Sequence, residues 1–231
     1  MSHLHIPDGV LPPVVWIAGL VLGALALGVS VRFARGGPQQ VAYAGALGGI
    51  MLAVMAIPVP ITAFDYCMTL AGPVGVLLGA AGAFQVSFVV TLILALLGQG
   101  GLTVIGLNAL VLGLGAALAR GFYRRGVRAL GPAGAMALAT AGSQLVSSAA
   151  WVGILWLSVR LAPGAGGAPD VAGPLRWLRA GALGVVLVPM LAGAIALESL
   201  LGYGLARFLS RVRPDLLPPG PDAPPLEARA R

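Results

Sequence analysis

The sequence contains no lysine: all 14 of its basic residues are arginine, set against 7 acids in 231 residues. Charged residues make up 9% of it, cysteine occurs once, at Cys67, and histidine twice, at His3 and His5. Each shortage excludes something. One thiol excludes an internal disulfide. Roughly a quarter of an ordinary soluble domain is charged, so this chain cannot cover its apolar surface in water, and a soluble enzyme is excluded. A net charge of +7 would suit nucleic acid only if the arginines gathered on one exposed polar face. Here they stand between apolar runs, as orientation signals in membrane proteins do, so no nucleic-acid partner is expected.

What is abundant points the same way. Hydrophobic residues reach 58% before 35 glycines are counted, too apolar for a disordered or collagen-like chain, and the lipid bilayer is the solvent that fits. Apolar stretches run over 13–31, 41–57, 68–97, 102–118, 133–157 and 180–201. The third is too long for one span of ~20 residues and short for two, so a break is expected between Gly79 and Ala83. The expected fold is all-α: a polytopic helical membrane bundle of about seven transmembrane helices. It forms one domain over 1–213 with an N-terminal segment at 1–12. The Gly/Pro-rich stretch 163–174 reads as an external loop, and the proline-rich 214–231 as a flexible cytoplasmic tail. No basic residue precedes the first stretch, so it is expected to stay as a span instead of being cleaved as a signal. Gly19 and Gly23, like Gly45 and Gly49, are spaced for close helix contact.

Arginine placement sets the expected orientation. With the N-terminus outside, Arg32, Arg35, Arg120, Arg124, Arg125, Arg128, Arg207, Arg211 and Arg213 fall in cytoplasmic segments, and only Arg160, Arg176 and Arg179 fall outside. The positive-inside rule then puts the C-terminus in the cytoplasm, which requires an odd number of spans.

The opening, MSHLHIPDGVLPP, carries the chemistry. Pro7 biases Ile6 toward an extended backbone, and Pro7-Asp8-Gly9 is a turn signal. Two imidazoles therefore sit beside an amino terminus just before a membrane helix. A terminal amine, the next amide nitrogens and an imidazole can close fused chelate rings around Ni(II) or Cu(II), and imidazole also suits cobalt. Met1, Ser2 and His3 supply four nitrogens if Met1 stays. If it is trimmed, Ser2 and His3 supply three, and a fourth ligand comes from His5 or from Cys67 in the loop after the second span. The alternative is a solvated start with ordinary surface histidines.

HIPDG at 5–9, followed by Leu-Pro and a membrane helix, resembles the cobalt/nickel substrate-capture subunits (CbiM/NikM type) of energy-coupling-factor transporters. TLAGPVGVLLG at 69–79, GQGGLTVIGLNAL at 98–110 and RVRPDLL at 211–217 extend the resemblance to about residue 217. It implies a multi-pass protein of the prokaryotic cell (inner) membrane that binds Co(II) or Ni(II) as substrate at its outer face. The ion would be held by the terminal amine, by the amide and side chain of the second-position histidine, and by a histidine after helix two. It implies partners as well: a transmembrane coupling (T) subunit, two cytoplasmic ABC ATPases and often a small accessory membrane protein. The chain would not be an enzyme and would need no catalytic cofactor; it has no G-x-x-x-x-G-K-[ST] phosphate loop of its own. Two departures stand out. HIPDG begins at residue 5 instead of residue 2, so either His3 or His5 takes the chelating role. Cys67 stands where the family has its downstream histidine: a thiolate there would shift preference toward nickel, copper or zinc, and the alternatives are that the fourth ligand is lost, that the substrate differs, or that Cys67 is ordinary buried packing.

Other polar residues carry two readings each. Asp65 is a ligand-orienting acid or a solvated one. Asn108 braces the N-terminal backbone or bonds between helices. Glu198 marks a pathway or pairs with Arg207 near the cytoplasmic end. Gln144, Ser143, Ser147 and Ser148 are spaced for interhelical hydrogen bonds, and Trp16, Trp151 and Trp156 read as interface anchors. A non-transporting scaffold or metal sensor of the same architecture is the alternative function. A membrane metalloenzyme is disfavoured because HExxH and paired intramembrane carboxylates are missing.

Overall fold

The computed structural model describes residues 5–34, 36–57, 59–61, 64–161 and 188–219. These form five helices: α1 (Pro13–Phe33), α2 (Pro38–Met55), α3 (Ala71–Leu96), α4 (Ile105–Leu161) and α5 (Val188–Val212). Two three-residue strands, β1 (Val59–Ile61) and β2 (Phe64–Tyr66), pair antiparallel with Val59 opposite Tyr66. This small hairpin is the one departure from an all-helical chain among the described residues.

Proline and glycine punctuate the helices. α1 and α2 each begin with a proline in the first turn, where its missing N–H costs nothing. Gly79 (φ 76) breaks α3 into 71–78 and 80–96, within the interval read from the sequence. Gly131 (φ 65) breaks α4 and Pro132 restarts it, joining 105–130 to 132–161. Among the described residues these breaks leave seven straight segments, of which 71–78, at about 12 Å, is too short to cross a membrane. Among the described residues four helices are long and apolar enough to cross a membrane: α1, α3, α4 over Ile105–Ser158, and α5.

The two arms of α4 fold back on each other. A side chain on Gly115 would meet Ser143 and Ser147, one on Gly126 would meet Ala135 and Leu138, and one on Gly142 would meet Phe122. Pairs whose numbers fall on one side as they rise on the other define an antiparallel hairpin, each arm about 40 Å long. This hairpin is the core against which α1, α3 and α5 pack. α1 buries Val15, Gly19, Gly23 and Ser30 inward and exposes Val14, Ile17, Val21, Leu25 and Val29. A helix apolar on both faces belongs in lipid. Gly19 and Gly23 meet Leu107 and Gly106 of α4 so closely that a methyl on Gly106 would overlap the Gly19 carbonyl.

The N-terminal segment packs at the start of α4, where Ile6, Leu11, Val15, Val104, Leu107 and Leu155 cluster. Trp16 and Trp151 lie against this cluster, so they pack inward instead of only marking a lipid boundary. Trp156 is exposed and has the Arg160 guanidinium 5.0 Å from its ring centre. The chain's other end packs near the Gly131 turn, where Ala206 and Leu217 join Tyr123, Ala135 and Met136. The packed chain therefore runs through a short 3-10 turn (Pro214–Leu216) to Leu217, past the boundary expected at Arg213. Residues 163–174 and 220–231 lie outside the described residues.

Of the two readings of Glu198, pairing with Arg207 is the one that fails, while Arg120, placed by the sequence in a cytoplasmic segment, donates from Nε to the Val76 carbonyl (2.8 Å) and from Nη2 to the Leu77 carbonyl (2.7 Å). Glu198 pairs with no arginine among the described residues; it is fully buried and bonded to Tyr66 and Thr69. The helix 71–78 explains both. It is too short to end in water, so its end groups are met by side chains from α4 and α5. A carboxylate at the N-terminus and a guanidinium at the C-terminus also match the helix dipole.

Candidate metal centre

Residues 5–9 form no helix or strand, yet their backbone is held at several points. Asn108, near the start of α4, accepts from the Ile6 N–H at Oδ1 (2.9 Å) and donates from Nδ2 to the Ile6 carbonyl (3.0 Å). The side-chain amide thus does for Ile6 what a neighbouring strand would do. The Gly101 N–H donates to the same carbonyl at 3.1 Å. Ile6 itself is 2% exposed, so these bonds form away from water, where leaving them unmade costs most.

The next anchor is Asp8. Its carboxylate accepts from the backbone N–H groups of Leu102 (3.0 Å) and Thr103 (2.9 Å) and from the Thr103 hydroxyl. These are the free N–H groups just before α4, so Asp8 caps a helix from about a hundred residues away. Slight burial pushes its pKa up, but the hydrogen bonds from Thr103, Leu102 and Val104 outweigh that and hold it below the usual carboxylate value. The stabilisation is present above the ordinary Asp range and fades as pH falls through the lowered value. Asp8→Ala should cost about 1 kcal/mol of segment docking, the usual worth of an N-cap. The check is protease cleavage within residues 1–12, which should speed up at pH 7 in the variant; unchanged cleavage would contradict the capping role.

The loop 97–104 is shaped to receive this segment. Gly98 (φ 81) and Gly100 (φ 110) hold backbone angles that other residues avoid. A Cβ on Gly100 would touch both Asn108 and the His5 ring, and one on Gly101 would collide with Asp8. His5 is partly buried beside Gly100, and desolvation holds its imidazole down to about 4. It is therefore neutral at pH 7, the form in which imidazole binds metal.

Cys67 belongs to a second group of contacts. It is a buried free thiol in the irregular stretch between β2 and α3. Tyr66 donates its hydroxyl to Glu198 Oε1 (2.6 Å), and Thr69 donates its N–H to the same oxygen (2.8 Å) and its hydroxyl to Oε2 (3.0 Å). The Gln144 amide donates to the Thr69 hydroxyl at 3.2 Å. Irregular backbone inside an apolar bundle is tolerated only where protein groups satisfy it, and Glu198 supplies that satisfaction here.

The family model described as CbiM, cobalt uptake substrate-specific transmembrane region, matches residues 5–216. The chain belongs to the CbiM family. No curated protein matches it. It is accordingly a multi-pass membrane component of cobalt uptake. The family match opens at His5, the first residue of HIPDG, and closes at Leu216 in the 3-10 turn.

Within this CbiM-family chain, the structure brings His5 and Asn108 together around Gly100. Met1, Ser2 and His3 lie outside the described residues, as does the side chain of Asp65. Among the described residues no three His, Cys, Asp or Glu side chains gather around one point. Among the described residues the hydroxyls of Ser143 and Ser147, read as interhelical bonders, have no partner; Gln144 does, through Thr69. Sequence reasoning undervalued Glu198 and missed Tyr66 and Thr69. The available signal was one acid in an apolar span, but its partners lie some 130 residues away.

Proposed function

We propose that the chain is the substrate-binding membrane subunit of an energy-coupling-factor transporter that imports divalent cobalt or nickel. The support is the CbiM membership together with the docked N-terminal segment, above all the two-sided clamp of Asn108 on Ile6. A solvated tail has no use for a buried amide that matches its backbone, whereas a segment that encloses an ion needs one fixed path. His5, in the motif's own register, is the described histidine of the site. His3, Ser2 and Met1 are its proposed partners from the leading residues, and Cys67 stands in for the family's downstream histidine. Asn108 orients the segment without touching the ion.

In this reading the subunit binds and does not catalyse. ATP is hydrolysed by two cytoplasmic ATPases acting through a transmembrane coupling subunit, with a small accessory membrane protein beside them. The N-terminal end faces outward across a prokaryotic inner membrane. The support for this orientation is that Arg124, Arg125, Arg128, Arg207, Arg211 and Arg213 belong to the Gly131 end of the bundle and Arg160 to the other.

The test is uptake of labelled Co(II) and Ni(II) by cells expressing the whole transporter. His5→Ala, His3→Ala and the double variant should show which histidine binds; each ligand lost should weaken capture by at least about tenfold. Uptake intact in the double variant would contradict the proposal. Metal analysis of the purified chain and the mass of its intact N-terminus identify the ion and the leading residue.

A further inference from the structure

We propose that Glu198 is the positioning residue for Cys67, acting by pinning the chain on both sides of the thiol. This rests on the reading that Cys67 binds the ion. Tyr66 immediately precedes Cys67 and Thr69 follows two residues later. Both bond to the one Glu198 carboxylate, Tyr66 through its hydroxyl and Thr69 through its N–H and its hydroxyl. Cys67 and Met68 between them belong to no strand or helix. A thiol on irregular backbone keeps one direction only if that backbone is fixed, and a metal ligand must be fixed closely.

The pin is part of a larger frame. The Thr69 hydroxyl also accepts from the Ala71 N–H (3.3 Å) and from Gln144 (3.2 Å), which ties the stretch to the start of α3 and to the second arm of α4. Arg120 holds the far end of 71–78 through Val76 and Leu77. The short helix is thus gripped at both ends, and the residues leading into it take their position from Glu198. The carboxylate is itself 0% exposed and sits on α5, a helix that otherwise exposes most of its apolar surface. A fully buried acid on such a helix is retained at a cost, and its bonds go to Tyr66 and Thr69 on either side of one thiol and to the Leu70 backbone just before the short helix.

A purely structural cap would influence folding alone, so the readout must be the metal–sulfur bond. Full-length protein in detergent, titrated with Co(II), should show a thiolate-to-cobalt charge-transfer band that Cys67→Ser removes. Glu198→Gln keeps a carbonyl for Tyr66 and Thr69 and should keep the band, with binding within about threefold of the parent. Glu198→Leu should lose the band and bind about 10- to 100-fold more weakly. Tyr66→Phe removes only the hydroxyl, which donates to Glu198 at 2.6 Å and faces the Ala194 carbonyl at 3.4 Å, and carries the test if Glu198→Leu does not fold. It should shift the band and weaken binding by about tenfold, with the metal-free melting temperature within about 2 °C. An unchanged band and affinity in Tyr66→Phe, or in a folded Glu198→Leu, would overturn the positioning role while leaving Cys67 as a ligand. No band in the parent, with Cys67→Ser binding equally well, would overturn the ligand reading and this inference with it.

Discussion

Replacing Asn108 with leucine should nearly abolish metal capture while leaving the helical bundle intact. Asn108 meets both hydrogen-bonding groups of Ile6, at 2.9 and 3.0 Å, in a place water does not reach. Leucine fits the same volume but answers neither the N–H nor the carbonyl. Leaving a buried group unpaired costs about 1–3 kcal/mol. The Gly101 N–H still serves the carbonyl, so its lost bond to Asn108 adds only about 1 kcal/mol to the unpaired N–H, and about 2–4 kcal/mol of docking energy should be lost in all. If capture requires the docked segment, affinity falls by the same factor, roughly 30- to 1000-fold. Calorimetric titration of purified protein with Co(II) measures it. Helix content should be unchanged, because Asn108 makes its side-chain bonds to the segment and not to another helix. Binding within threefold of the parent would mean that the segment is decoration.

The second large effect concerns the bundle itself. Gly75 lies where the short helix 71–78 crosses the first arm of α4, and a side chain there would run into the Ala116 carbonyl and the Ala119 methyl. Neither is the loose end of a flexible chain, so helices must separate. Gly75→Val should cost about 3 kcal/mol or more and lower the melting temperature in detergent by roughly 10 °C. Gly45→Val is the control, since nothing lies within 4 Å of a side chain there. Equal melting of the two variants would show that the crossing tolerates separation. Gly19 and Gly23, spaced like Gly45 and Gly49, show why spacing alone misleads. The first pair meets α4 at contact distance, while the second faces open space.

The outline of this protein was legible because lipid imposes simple rules. Apolar stretches of the right length, one dominant end for the arginines and a break near Gly79 all follow from local composition. The opening HIPDG and the Gly-Gly-Leu-Thr segment could each be marked as special, and glycine with positive φ at Gly100 bears that out locally. Their mutual fit was not legible. Asp8 capping α4 and Asn108 clasping Ile6 join residues about a hundred positions apart.

The same limit explains why the partners of Arg120 and Glu198 were not legible. Position along the chain puts Arg120 next to Arg124 and Arg125, and Glu198 nine residues from Arg207, so pattern alone offers those as the neighbours. Their actual partners are the buried ends of an eight-residue helix, which exists only because Gly79 interrupts α3. Composition and periodicity therefore determined the solvent, the helices and the family-like opening, since each depends on residues near one another. Packing alone decided which polar groups meet, because a buried hydrogen-bonding group takes whatever partner the fold carries to it, however distant in sequence.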